Sequence, residues 1–163
     1  AATIVETQGK TTKTDFSPSI KKTYMVPMRD GIKLATDVYL SYEDYPPHGC
    51  ILIRTPYNKD NINLSGWADA GWPSIVQDMR GRFASEGVDT VFRNAHTDGP
   101  DTLAWIASQN WSNGKIATFG GSALGINQVL HGWNKPTKPG LPVHCCSHPR
   151  PTQTRNLPGW RIP

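Results

Sequence analysis

No run in the 163-residue sequence approaches the ~20 consecutive apolar residues of a membrane-spanning helix, and no membrane partner is expected. Cysteine is scarce. Cys50, Cys145 and Cys146 are an odd number with two of them adjacent, so no disulfide framework is written here. The string His144-Cys145-Cys146-Ser147-His148 has metal-ligating residue types, but neighbouring cysteines fit poorly around one tetrahedral ion and no Cys-x-x-Cys pair exists. No metal and no other cofactor is expected. Acid is missing altogether from residues 131–163, which carry Lys135, Lys138, Arg150, Arg155 and Arg161, whereas residues 1–130 hold 12 Lys and Arg against 13 Asp and Glu. The net charge of +4 therefore belongs to the tail. Its charges are scattered among prolines without aromatic clusters, which speaks against a nucleic-acid partner. Nucleic-acid binding by the basic tail stays a lesser alternative, and salt-dependent retention on heparin, lost on deletion of residues 131–163, would reveal it. No internal repeat is present.

What is there fits one globular domain: hydrophobic residues make up 37% and six are Trp. The chain opens Ala-Ala without Met and without a charged-then-apolar leader. That fits a mature protein after signal cleavage or a trimmed chain, and favours a secreted or periplasmic location slightly over the cytoplasm. Residues 1–18 are polar and aperiodic, and are expected to form a loose arm. Residues 24–28 and 32–40 read as two strands joined by Arg29-Asp30-Gly31, because Asp-Gly between apolar runs signals a hairpin. Residues 50–54 are a short continuous apolar run that suits a strand buried on both faces, and residues 74–78 read as another buried strand. Residues 62–70 read as a short helix. Helical spacing over 94–109 places Leu103, Ile106 and Ala107 on one face, with Thr97 or Asp98 as N-cap and Pro100 in the first turn. Residues 115–119 read as a strand, followed by a helix to Leu130. The resulting fold class is α/β: an antiparallel hairpin leading into a mostly parallel sheet flanked by helices. Beyond residue 131, where seven of the 14 prolines fall, periodicity ends and an irregular Pro-rich tail is expected.

The chemistry concentrates at Phe119-Gly120-Gly121-Ser122-Ala123-Leu124-Gly125, between a strand and a helix. A sharp strand-to-helix turn lifts a serine hydroxyl above the strand end and needs small neighbours. It also aims the first helical N–H groups at any oxygen that develops negative charge, so the Ala123 N–H is the natural first oxyanion donor. The spacing is Gly-x-Ser-x-x-Gly rather than Gly-x-Ser-x-Gly, and a plain crossover with backbone-serving glycines explains the same six residues.

The blocks VPMRDGIKLATDVYL, ILIRTPYNKDN, SIVQDMRGRFASEG and DGPDTLAWIASQNWSNGKIATFGGSALG stand in this order over about residues 20–130. Together they resemble the X-prolyl dipeptidyl peptidase and cocaine-esterase-like serine hydrolases. The resemblance implies a truncated α/β-hydrolase core, holding the N-terminal part of the catalytic domain (residues 19–130), and cleavage of esters or amides through an acyl-enzyme. It places Ser122 at the nucleophile and implies that the Tyr57 hydroxyl completes the oxyanion hole; a half-buried aromatic after a proline turn is the plainer alternative for Tyr57. Asp78 and Arg80 match a family block and are read as structural. The family usually carries Tyr where this chain has Ala123, a change that keeps the backbone N–H. Its acid and general-base histidine lie far beyond the serine, after a helical cap, and have no counterpart here.

A serine hydroxyl needs a base. His131 lies nine residues past Ser122, ~13 Å away along a helix. His144 and His148, in the tail, are the other candidates, whereas His48 and His96 read as solvated loop residues. The leading expectation is a serine esterase acting on small-molecule esters, and the rival is a folded fragment with little or no turnover. Loss of the later family strands leaves strand 115–119 as an unpaired edge for the tail or a second molecule to cover, so a homo-oligomer is expected.

Overall fold

The computed structural model describes residues 19–41, 46–132 and 143–145, with backbone alone for 131–132 and 143–145. The expected N-terminal arm lies outside the described residues.

Strands β1 (Ile20–Pro27) and β2 (Lys33–Leu40) form the hairpin, pairing antiparallel from Ile20↔Leu40 to Pro27↔Lys33. Gly31 takes φ 84 at its tip, the left-handed conformation that makes glycine the cheap residue there. Next come β3 (His48–Thr55), α1 (Ser65–Asp69), β4 (Ser74–Asp78), α2 (Ala95–Ala107), β5 (Ser112–Thr118), α3 (Ala123–Gly132) and β6 (Val143–Cys145). The sheet order is β1-β2-β4-β3-β5-β6. β2 runs antiparallel to β4, whereas β4, β3, β5 and β6 are mutually parallel.

Side chains alternate across this sheet, and the alternation sets its two packing layers. Val38, Leu40, Leu52, Ile75 and Ile116 pack with Leu103 and Ile106 of α2 and with Trp111 on one face. Tyr39, Ile53 and Val76 pack with Leu64 and with Ala68 of α1 on the other. Every residue of β4 is buried, the polar Ser74, Gln77 and Asp78 included, as in a strand covered on both sides. Cys50 is a core residue at 2% exposure, and burial pushes its thiol up to about 11.

Two expectations are corrected. α2 starts at Ala95, so Thr97 and Asp98 lie inside its first turn and Pro100 in its second. The Asp98 carboxylate cannot cap because Arg80 holds it with Nε at 3.0 Å and Nη2 at 2.7 Å. Second, the segment read as irregular contributes β6, which pairs with β5 from Ile116↔Val143 to Thr118↔Cys145. The edge of β5 is thus covered by the chain itself. Among the described residues the outermost strand is β6.

Candidate active site

β3 and β5 lie side by side and parallel, with Leu52 level with Thr118. Whatever follows their C-terminal ends rises from one edge of the sheet. Tyr57 follows β3 and Ser122 follows β5, so two of the three residues singled out in the sequence share this edge and Ala123 adjoins the second. The edge is held together from below. Phe119 N donates to Leu52 O at 3.0 Å, and the buried Asn127 of α3 donates to Arg54 O at 3.4 Å.

The turn into α3 is forced by its side chains. Ser122 has φ 54, a left-handed conformation that costs a non-glycine residue about 1–3 kcal/mol. Gly120 has φ 135, and a Cβ there would collide with Leu124, reaching 2.7 Å from its Cδ2. A Cβ on Gly125 would lie 3.3 Å from Gly120 O, whereas one on Gly121 meets nothing within 4 Å. The unusual spacing is thereby explained. Leu124 stands where the commoner motif has glycine, packs beside the Tyr39–Val76 cluster, and leaves room only for glycine at 120. Gln128, buried on α3, donates to Gly120 O at 2.9 Å and locks the turn from behind.

Ser122 is exposed, and its hydroxyl has no hydrogen-bond partner among the described residues. Leu124 N and Gly125 N donate to Gly121 O, and Ile126 N donates to Ser122 O. Among the described residues the Ala123 N–H has no acceptor. An unfilled donor at the positive end of a ten-residue helix, one peptide from an exposed hydroxyl, can hold a developing oxyanion.

Tyr57 is 57% exposed, and its loop is tied at several points. Tyr57 N donates to Thr55 Oγ1 at 3.0 Å, and Asn61 Nδ2 to Tyr57 O at 3.2 Å. Asn58 takes φ 77, with its side chain accepting from Asp60 N. The buried Lys59 donates from its backbone to Asp78 Oδ1 at 2.7 Å and from Nζ to Asp37 Oδ2 at 3.2 Å and Asp60 Oδ1 at 2.7 Å. Burial would lower the Lys59 ammonium, but its hydrogen bonds to Asp60 and Asp37 outweigh that and raise it. Burial likewise lifts the Asp37 carboxyl, yet hydrogen bonds from Lys21, Thr23 and Lys59 bring it below the usual carboxylate range. Sequence reasoning passed over Lys59 and Asp37. Lys59 does stand inside the block ILIRTPYNKDN, but its partner is on another strand.

Asp78 and Arg80 serve as braces. Asp78 Oδ1 and Oδ2 accept the Lys59 and Ala84 amides, and burial holds its carboxyl above the ordinary value. Arg80 bridges Asp98 and Asp30. Behind them Arg54, 3% exposed, donates to Gln77 Oε1 at 2.7 Å, and burial presses its guanidinium down to about 10.

Of the five histidines, the structure describes the side chains of His48 and His96. His48 opens β3 at the end remote from Tyr57 and meets Trp72 edge-on at 5.1 Å. His96 is in the first turn of α2. His131 is near the end of α3, and the backbone of His144 is level with Ala117 on β6. His148 lies outside the described residues.

A sequence model of the X-Pro dipeptidyl-peptidase (S15) family matches residues 30–147. The cocaine esterase of Rhodococcus sp. (strain MB1 Bresler) is 38% identical over 122 residues, which are 70% of this chain and 21% of that protein. Among solved structures, an α-amino acid ester hydrolase superposes with a TM-score of 0.63 at 27% identity, over 71% of this chain and 23% of its own. A CocE/NonD family hydrolase from Staphylococcus aureus does so with a TM-score of 0.62 at 25% identity, over 68% and 24%. The chain thus spans less than a quarter of the length of each of these relatives. Their likeness bears out the α/β-hydrolase architecture expected from the sequence, of which this chain holds a part.

Proposed function

The chain belongs to the X-Pro dipeptidyl-peptidase (S15) family, and from that premise we propose that it carries the nucleophile and oxyanion hole of a serine hydrolase acting on carboxylic esters. Ser122 Oγ attacks the ester carbonyl, and its proton passes to a general base. The carbonyl oxygen becomes an oxyanion and accepts from the Ala123 N–H and the Tyr57 O–H. The carbon–oxygen bond to the alcohol then breaks, the alkoxide takes the proton, and water hydrolyses the acyl-enzyme. Esters are favoured over amides because an alkoxide leaves more readily than an amine anion when the acid is poorly placed. The observation that carries this reading is the left-handed Ser122 at the head of α3, with the neighbouring amide unfilled. His144, His148 and His131 are the candidates within the chain for the base.

The test is hydrolysis of a short-chain aryl ester by the chain and by Ser122→Ala, alongside labelling with a fluorophosphonate probe. Loss of both in the variant supports the reading, and unchanged hydrolysis removes Ser122 from the mechanism. A second reading, a folded fragment with little turnover, draws on the short span relative to the family. Stoichiometric labelling of Ser122 without turnover would favour it. We further propose that the chain self-associates.

A further inference from the structure

Resting on the assignment of Tyr57 to the oxyanion hole, we infer that Lys59 is a positioning residue: clamped between Asp37 and Asp60, it fixes the loop that presents the Tyr57 phenol.

Three observations carry this. First, Lys59 is 5% exposed on a loop whose neighbours Tyr57, Asp60 and Asn61 are exposed. A lysine that buries its ammonium loses hydration that an ion pair often only repays, so its net worth to stability is small. Second, the anchoring is double. Lys59 Nζ reaches Asp37 on β2 while Lys59 N is held by Asp78 at the end of β4, so one residue ties the loop after β3 to both strands. Asp37, itself fully buried, is fixed in turn by Lys21 Nζ at 2.8 Å and Thr23 Oγ1 at 2.7 Å. Third, the clamp lies two residues from Tyr57, across Asn58 in its left-handed conformation. A backbone turn of that kind persists only where its surroundings over-determine it. A phenol that donates to a transient oxyanion must be placed to within a fraction of an ångström, and a residue 57% exposed receives less of that restraint from packing than a buried one.

The experiment uses the full chain and measures the second-order rate constant of Ser122 phosphonylation by a fluorophosphonate. In that step the Oγ–P bond forms, the P–F bond breaks, fluoride leaves and the hydroxyl proton goes to buffer, while the phosphoryl oxygen draws on the same donors. Tyr57→Phe is expected to slow labelling about a hundredfold. Lys59→Met is expected to slow it about tenfold through misplacement of the phenol. The double variant is expected to be no slower than Tyr57→Phe alone, since Lys59 acts only through that hydroxyl. Lys59→Arg, which keeps the charge, should recover part of the rate. Thermal melting identifies the variants that fold. If Lys59→Met does not, Asp60→Asn replaces it, because Asp60 is 60% exposed at its side chain and its change leaves no unpaired buried charge. Multiplicative effects in the double variant, or an unchanged rate in the folded single variant, would overturn the inference. No labelling of the unaltered chain, or full-rate labelling of Tyr57→Phe, would instead remove the oxyanion assignment beneath it.

Discussion

Gly120 and Leu124 divide one volume between them: a Cβ on the first would sit inside the side chain of the second. The relationship is specific to a motif in which leucine, not glycine, stands two residues after the serine. Gly120→Ala should therefore destabilise the chain by about 2–4 kcal/mol, adding an overpacked contact to the strain of a positive φ. Gly121→Ala, with open space around it, should change stability by no more than about 0.5 kcal/mol. Leu124→Ala in the Gly120→Ala background should recover little of the packing part, since alanine keeps the Leu124 Cβ, the atom nearest the added methyl, and none of the backbone part. Urea unfolding of the four chains checks this, and equal midpoints for the two alanine variants would contradict it.

How far the sequence foretold this arrangement depends on the reach of each interaction. The hairpin was legible because Asp30-Gly31 writes its own turn, and β3 because a strand buried on both faces is largely apolar; β4 offered only Ile75 and Val76 of that signal and buries Ser74, Gln77 and Asp78 beside them. The nucleophile turn was legible in outline, since its glycines serve local geometry, but why Gly125 replaces the expected glycine at 124 needed the contact with Gly120 O. β6 escaped notice. Three residues among prolines carry no period, and β6 takes its register from β5. The start of α2 was misplaced because Asp98, which looks like a cap, is held by Arg80. The Lys59–Asp37 pair was invisible for the same reason: a long-range ion pair leaves no local signature.

Asp37 gives a pH dependence of defined sign. Its carboxyl titrates below the ordinary value when folded, so its contribution is present above the unfolded pKa of ~3.9 and is lost as the pH falls through the folded value. Asp78 works in the opposite sense, because burial raises its carboxyl and acid relieves the cost of its charge. Comparison with Asp37→Asn isolates the first effect. The variant should be less stable at pH 7 by about 3 kcal/mol, having left Lys59 and Lys21 with a neutral partner. That gap should shrink as the pH falls below the unfolded value of ~3.9. A gap that stays constant on acidification would mean that the ion pairs do not stabilise the fold.

Self-association should involve the sheet face opposite α2. Parallel strands are ordinarily covered on both faces. Here Gly49, Ile51, Lys115 and Ala117 of β3 and β5 line an open groove of about 630 Å³, rimmed by Trp72. Trp72 is 46% exposed, an unusual position for so large an apolar ring. Light scattering should report a dimer or larger species at micromolar concentration, and Trp72→Glu should shift it to monomer. A monomeric parent chain would refute the expectation.

The left-handed backbone at Ser122 predicts a trade between stability and chemistry. An L-residue pays about 1–2 kcal/mol to sit there, and glycine does not. Glycine gives back about 0.5–1 kcal/mol through the entropy of its unfolded chain. Ser122→Gly should consequently be more stable than Ser122→Ala by about 1 kcal/mol, even though glycine is ordinarily the poorer residue at a helix start by that comparison. Both lose the hydroxyl, so both should be blind to the fluorophosphonate probe, and the difference in unfolding free energy reads backbone strain alone. An alanine variant as stable as the glycine variant would show a relaxed turn at position 122. The unfilled Ala123 amide would then owe its direction to the helix and not to the bend.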